Sequence, residues 1–267
     1  MKKIFVLLTL VSISAMFTTA CQANSSQKGS NVIQPKNEIW YTSKDGTIVE
    51  PTRYNSQVFS KNGINIVSNT YKDGKGVIVF DDVVLQIGGL AFKDNCNLTS
   101  ISIPEGVTVI QPSAFCNCTN LSSITIPMGV AEIGDKAFNN CTSLTSIIIP
   151  NSVARIRARA FYNCTSLTSI ALPCPASYVT ISLGERAFAN CKSLTSIYCK
   201  SWEPPMLFDT NVFDGVSSDC KLYVQPTSVE KFKQTAGWRK FYRNTVGYDF
   251  PEDYYDKATN RIRGYNN

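Results

Sequence analysis

Histidine is missing from this chain altogether. Its absence excludes Ser-His-Asp and Cys-His nucleophilic catalysis, together with every metal site that depends on imidazole. Long apolar runs are scarce as well. The one at the start, Ile4 to Phe17, is short of the roughly 20 residues a membrane-spanning helix needs. Charge is thin, at 17% of residues, and mixed in sign, for a formal +6. Lys2 and Lys3 belong to the leading segment, and +6 less those two leaves +4 for the rest. Arg155, Arg157 and Arg159 form the single local basic cluster, and on a turn they read as a solvated edge, with contact to an anionic polymer as the other reading. Nucleic-acid binding needs a concentrated basic face, so no nucleic-acid partner is expected. The acids of "DDVV", "DKA" and "PEDYYDK" are too scattered for a calcium loop.

What the chain does have begins with an address. "MKKIFVLLTLVSISAMFTTAC" combines a positive start, an apolar stretch and small residues before Cys21, the pattern of a bacterial secretory signal over residues 1–20. Thr18-Thr19-Ala20-Cys21 resembles the lipobox of bacterial lipoproteins, with Thr18 where that pattern favours leucine. The resemblance implies an acylated Cys21 and membrane attachment through that lipid alone, as an outer-membrane lipoprotein. Plain cleavage beside Ala20 is the alternative. Residues 21–36 are polar and read as a flexible tether. Surface-exported lipoproteins of some Gram-negative anaerobes carry acidic residues just after the lipidated cysteine. No acid occurs here before Glu38, so surface-exposed and periplasm-facing placements both stay open.

The dominant feature is repetition. "NCTNLSSITIP", "NCTSLTSIIIP", "NCTSLTSIALP" and "NCKSLTSIYCK" begin at Asn117, Asn140, Asn163 and Asn190. Ala-Phe pairs start at Ala91, Ala114, Ala137, Ala160 and Ala187, a period of 23 residues with one longer step of 27. A fixed period of this length means stacked units, none of which can bury its own apolar face. Leu144, Ile147 and Ile149 end in the two-residue spacing of a short strand. Val153, Ile156, Ala160, Phe161 and Cys164 recur at helical or 3-10 spacing, and Ser113 and Asp135 stand where a helix N-cap belongs.

The pattern AFxNCxxLxxIxIPxxVxxI, carried five times, resembles the BspA-like leucine-rich repeats of bacterial surface and secreted proteins. The resemblance implies an α/β repeat: a right-handed curved leucine-rich-repeat solenoid with short parallel strands on its concave face, short helical or 3-10 turns on its convex face, and a cap at each end. A parallel β-helix is the structural rival, disfavoured by the helical spacing after every strand. The repeats are expected over residues 76–200, with Ile78, Phe80, Val84 and Ile87 as a degenerate first rung. An N-terminal cap with a β-hairpin about Lys44-Asp45-Gly46 is expected over 37–75, a C-terminal cap of strand and helix over 201–247, and a tail over 248–267.

Cys118, Cys141, Cys164 and Cys191 each stand three residues before the repeat's leucine and read as a structural ladder that faces inward and bonds exposed backbone, with Asn95 taking the same place in the first unit. A metal site would need ligand pairs two to four residues apart, and only Cys116 and Cys118 come that close. No metal and no cofactor is expected. Cys174, Cys199 and Cys220 lie off the ladder and are the candidates for disulfides. The outward strand positions are mostly small and neutral, with no carboxylate pair for acid–base work, so an enzyme is not expected. Toward the C-terminal end the row becomes Ile148, Ala171, Tyr198, Lys200, Trp202 and Tyr223, the candidate binding face for a protein or glycan. Burial of Trp202 and Tyr223 beneath the C-terminal cap is the alternative. The family resemblance implies adhesion to host matrix proteins or other cells. A structural scaffold inside the envelope, with no host ligand, is the second expectation.

Overall fold

A computed structural model of the chain describes residues 33–52, 58–60, 63–174 and 180–250. The predicted signal, Cys21 and most of the tether fall outside the described residues, as does the tail from residue 251 on. From Val84 onward the chain winds as a solenoid, and each rung carries one longer and one two-residue strand. The longer strands are β5 (Leu98–Ser102), β7 (Ser123–Thr125), β9 (Ser146–Ile148), β11 (Ser169–Leu172), β13 (Ser196–Cys199) and β15 (Lys221–Val224). The short strands are β4 (Gln86–Ile87), β6 (Val109–Ile110), β8 (Glu132–Ile133), β10 (Arg155–Ile156), β12 (Ser182–Leu183) and β14 (Met206–Leu207). The short strands form one continuous parallel sheet, in the order β14-β12-β10-β8-β6-β4. The longer strands are also parallel, but their ladder is interrupted between β7 and β9.

The convex turns, expected to be helical or 3-10, close by single 3-10-type steps in the described repeats and never extend into a helix, and a second sheet of two-residue strands runs beside them. The reason is in the backbone. Leu90 and Asp94, Ser113 and Asn117, Lys136 and Asn140, Arg159 and Asn163, and Arg186 and Asn190 all have positive φ, between 52° and 65°. A left-handed residue twice in each turn breaks the run of right-handed conformations an α-helix requires. Successive three-residue steps close instead, as in Ala114 N–H to Gln111 O, Cys116 N–H to Ser113 O and Cys118 N–H to Phe115 O. Neither expected N-cap acts as one: Ser113 is itself left-handed, and Asp135 Oδ1 accepts from the Ala158 amide of the next rung.

Each rung buries its leucine, its isoleucines and its Ala-Phe pair in one core. Phe92, Phe115, Phe138, Phe161, Phe188 and Phe213 stack in a column, with ring centroids 5.1–5.8 Å apart and planes within 9°. Stacked aromatic pairs contribute about 0.5–1.5 kcal/mol each beyond the area they bury. Trp238 and Phe241 close the column at angles of 53° and 79° to Phe213.

The N-terminal end departs from expectation in two ways. β1 (Glu38–Ser43), β2 (Ile66–Lys72) and β3 (Lys75–Phe80) join the first longer strands in the order β2-β3-β1-β5-β7. The hairpin is β2–β3, turning at Asp73 and Gly74, both at positive φ as a two-residue hairpin turn requires, and not at Lys44-Asp45-Gly46. Ile78 and Phe80 are buried, yet they do not stack on Ile101 and Ile103 as a first rung. β1 lies antiparallel between them and β5. Val84 and Ile87 do enter the solenoid, Ile87 through β4 paired with β6. Thr52 meets the first turn with its amide on Ala91 O and its hydroxyl on Lys93 O.

At the C-terminal end, β15 is followed by the helix α1 (Val229–Gln234), a 3-10 helix Trp238–Asn244 and β16 (Thr245–Gly247), which returns parallel to β15. Ser228 precedes α1 without capping it: its hydroxyl bonds Trp202 O.

Candidate functional site

Two surfaces of the rung carry side chains with something to do, and the first is the turn side. Here Ser113, Phe115 and Asn117 donate their amides to Asp135, Ala137 and Asn139 of the next rung, and Lys136, Phe138 and Asn140 repeat the pattern to Ala158, Ala160 and Tyr162. At the last full rung Arg186 N–H goes to Asn211 Oδ1, a side chain standing in for the backbone acceptor. Behind this array the thiols of Cys118, Cys141, Cys164 and Cys191 point backward to the carbonyls of Phe92, Phe115, Phe138 and Phe161, at 3.0–3.2 Å. All four are fully buried, and loss of water pushes each thiol well up, Cys191 to about 12. Such thiols stay protonated donors and are inert as nucleophiles. Asn95 begins the row as an amide that reaches Glu50 O and accepts from the Asn97 and Leu98 backbone.

Beside the thiols runs a ladder that the sequence reading overlooked. Asn163 Nδ2 donates to Asn140 Oδ1, Asn140 to Asn117 and Asn117 to Asp94, at 2.6–2.8 Å. The signal was present in the repeated "NC": asparagine tolerates the left-handed corner better than other side chains do. Asn190 keeps the corner in the next rung, and glycine takes over in the one after it, where Gly215 has φ +73°.

The second surface is the outward row of the longer strands. Register places Val77, Trp40, Ser102 and Thr125 in line at the N-terminal end, and Ile148, Ala171, Tyr198, Tyr223 and Val246 at the other. Trp40 is half-buried, with Lys75 Nζ 3.1 Å from its ring centre and its indole N–H on Glu38 Oε2. Tyr198 and Tyr223 stack at 4.7 Å, and Tyr248 sets its ring edge against both. Small side chains thus lie between bulky aromatic ends.

A family model described as the BspA type leucine rich repeat region matches residues 85–220 in six copies. The chain belongs to this BspA-type leucine-rich-repeat family. No curated protein matches. Among solved structures, a leucine rich repeat protein of T. pallidum is 33% identical over 44% of this chain and 53% of its own, with a TM-score of 0.41. A leucine-rich repeat protein from Bacteroides ovatus is 26% identical over 58% of this chain and 45% of its own, at 0.35. The pneumococcal vaccine antigen PcpA is 18% identical over 67% of this chain and 46% of its own, at 0.48. The chain therefore spans about half the length of these structures.

Within this BspA-type repeat the predicted binding residues divide. Ile148, Ala171 and Lys200 are partly exposed, and Trp202 is 63% exposed in the loop that leaves β13. Tyr198 and Tyr223 are not open contact residues: they are 3% and 9% exposed. Their own stacking and the Tyr248 ring cover them, and burial raises the pKa of both phenols. Tyr248 and Phe250, assigned from sequence to a loose tail, pack in that cluster at 4.9 Å. Trp40 on the same row was missed, although the alternation of buried Ile39 and Tyr41 points it outward. Cys174, Cys199 and Cys220 are free thiols, as are the other described cysteines. Arg155 and Arg157 both grip Glu132, at 2.6 and 2.8 Å, which holds its carboxyl below the usual range. Arg159 turns instead toward Glu185. Cys21 lies outside the described residues.

Proposed function

We propose that the chain is an exported, lipid-anchored binding module at the bacterial cell envelope, which recognises a protein or glycan in adhesion. Family membership supports a recognition scaffold, and residues 1–21 support export and lipidation at Cys21. The observation that carries the reading is the outward row itself. Ser102, Thr125, Ile148 and Ala171 form a floor of short uncharged side chains, bounded by Trp40 at one end and the Tyr198–Tyr223–Tyr248 cluster at the other. At strand spacings of about 4.8 Å, the five steps from β1 to β13 span roughly 24 Å, room for an extended peptide or an oligosaccharide. Exposed Trp202 adds an aromatic contact near the C-terminal end.

The test is adhesion of producing cells after filling the floor with Thr125→Arg plus Ala171→Arg, paired with protease treatment of intact cells. Adhesion should fall at least ten-fold while the thermal midpoint holds, and external protease should remove the domain. Unchanged adhesion sinks the row as the contact surface. A domain cut only after lysis replaces adhesion with a scaffold role inside the envelope.

A further inference from the structure

We propose that the turn side of the central rungs is a second binding site, a groove for an acidic polysaccharide that bears carboxylate or sulfate groups along its length. A cavity of about 420 Å³ opens there, lined from four consecutive rungs, from Cys116 and Asn117 to Arg186. Its cations are Lys136, Arg159 and Arg186, each at the first left-handed corner of its rung, with φ of 55°, 54° and 52°. They are 23 and 27 residues apart in sequence but one rung apart in space, so their backbones repeat at about 4.8 Å. This cationic row follows from the fold, and no basic cluster in the sequence announces it.

Charge in the groove is unbalanced. Lys136 is exposed and meets no described carboxylate within ion-pair distance. Arg159 and Arg186 share a single acid, Glu185, at 3.6 and 3.9 Å, with all three side chains 37–45% exposed. Pairs so long and so wet hold little. Three cations against one paired carboxylate leave a surplus of two, or of one once the charge of neighbouring Asp135 is counted. Asp135, next to Lys136, is turned to the Ala158 amide. Arg155 and Arg157, the cluster visible in sequence, are both held close by Glu132, at 2.6 and 2.8 Å, and keep a surplus of only one.

The remaining lining suits sugar. The Asn139 side-chain amide has no partner among the described residues, and the Tyr162 hydroxyl accepts from Asn190 Nδ2 at 2.9 Å, which fixes a half-buried ring at the wall. A free amide serves sugar hydroxyls, and a fixed aromatic ring serves the apolar face of a pyranose. The Asn139 amide and the fixed Tyr162 ring match a charged sugar chain better than polyphosphate, which has neither hydroxyl groups nor an apolar face to offer them. The groove lies apart from the outward row, so this site and the adhesive reading stand or fall separately.

The experiment titrates the full chain with dextran sulfate and polygalacturonate oligosaccharides at low salt, with neutral dextran and polyphosphate in parallel. The variant is Lys136→Asn/Arg159→Asn/Arg186→Asn, because asparagine accepts the left-handed corner while removing charge. Dextran sulfate, polygalacturonate or both should bind, neutral dextran should not, and the triple variant should lose at least ten-fold. Lys136→Glu alone, with no corner altered in Arg159 or Arg186, should lose several-fold and covers failure of the triple variant to fold. Wild-type binding by these variants overturns the groove. So does an equal loss in Arg155→Gln/Arg157→Gln, or polyphosphate bound while both acidic polysaccharides are ignored.

Discussion

The turn side and the long-strand side of each rung obey opposite rules. On the turn side phenylalanine, cysteine and asparagine recur almost unchanged, and every rung from Leu90 to Asn190 donates amides to the next. On the strand side the outward residue changes from Trp40 to Ser102, Ala171 and Tyr198, and the ladder lapses between β7 and β9. A column of stacked rings works only if each ring finds its equivalent one rung away, so identity is enforced where packing is shared. Outward residues answer only to what they meet.

That contrast can be broken by substitution. The largest effect is expected from Phe138→Ala, which removes a fully buried ring with stacked neighbours on both sides and should cost about 3–5 kcal/mol in denaturant unfolding. Thr125→Ala on the outward row should stay within about 0.5 kcal/mol, and comparable losses from the two would erase the distinction. Next comes Gly134→Ala, whose added carbon would sit 2.7 Å from the Gln111 and Pro112 backbone of the preceding rung. Backbone cannot give way as a side chain can, and a loss of about 1–3 kcal/mol is expected. Asn140→Ala should cost about 1–2 kcal/mol, from a left-handed alanine and a cut amide ladder. Asn140→Gly should cost less, and equal costs would mean that the amides and not the corner are what matter.

Alkali gives the mildest probe near neutral pH. The buried thiols have folded pKa values above the ordinary 9.0, with Cys191 and Cys199 at about 12. The neutral form is therefore favoured by folding: its stabilisation is complete below pH 9 and is lost as pH climbs toward 12. The thermal midpoint should be flat from pH 7 to 8.5 and should fall above that. Over the flat range a thiol reagent should modify exposed Cys96 and spare the ladder. Rapid labelling of Cys141 in the folded protein would contradict the buried row.

Much of the architecture was legible because it repeats. The period, the strand placement and the rung position of the cysteines come from spacing alone. The second sheet was not, since strands of two residues followed by tight turns leave the same three-to-four spacing as a helix, and φ cannot be read from Val153, Ile156 and Phe161. Strand order at the N-terminus was hidden for another reason: Tyr41 pairs with Ile101, sixty residues away, and nothing local in "EIWYTS" names that partner. The burial of Tyr198 escaped notice because its cover, Tyr248, follows a strand outside the repeat. Lys136, Arg159 and Arg186 look unrelated in sequence until the winding brings them into line.

At the corners of the turn side the amide bonds run forward, as Ser113, Phe115 and Asn117 give their N–H groups to the rung that follows. Gln111 and Gly134, just before the corners, give theirs to the rung behind. The corner dipoles add along the solenoid as they do along an α-helix. This row of corner amides therefore has a carbonyl pole and an amide pole. The carbonyl pole is stoppered by Thr52, whose amide and hydroxyl take Ala91 O and Lys93 O. Growth by duplication of a rung preserves this polarity, since an inserted rung receives from one neighbour and gives to the other. A rung inverted in the stack would set donor against donor. The axis has a grain, and the array can lengthen only along it.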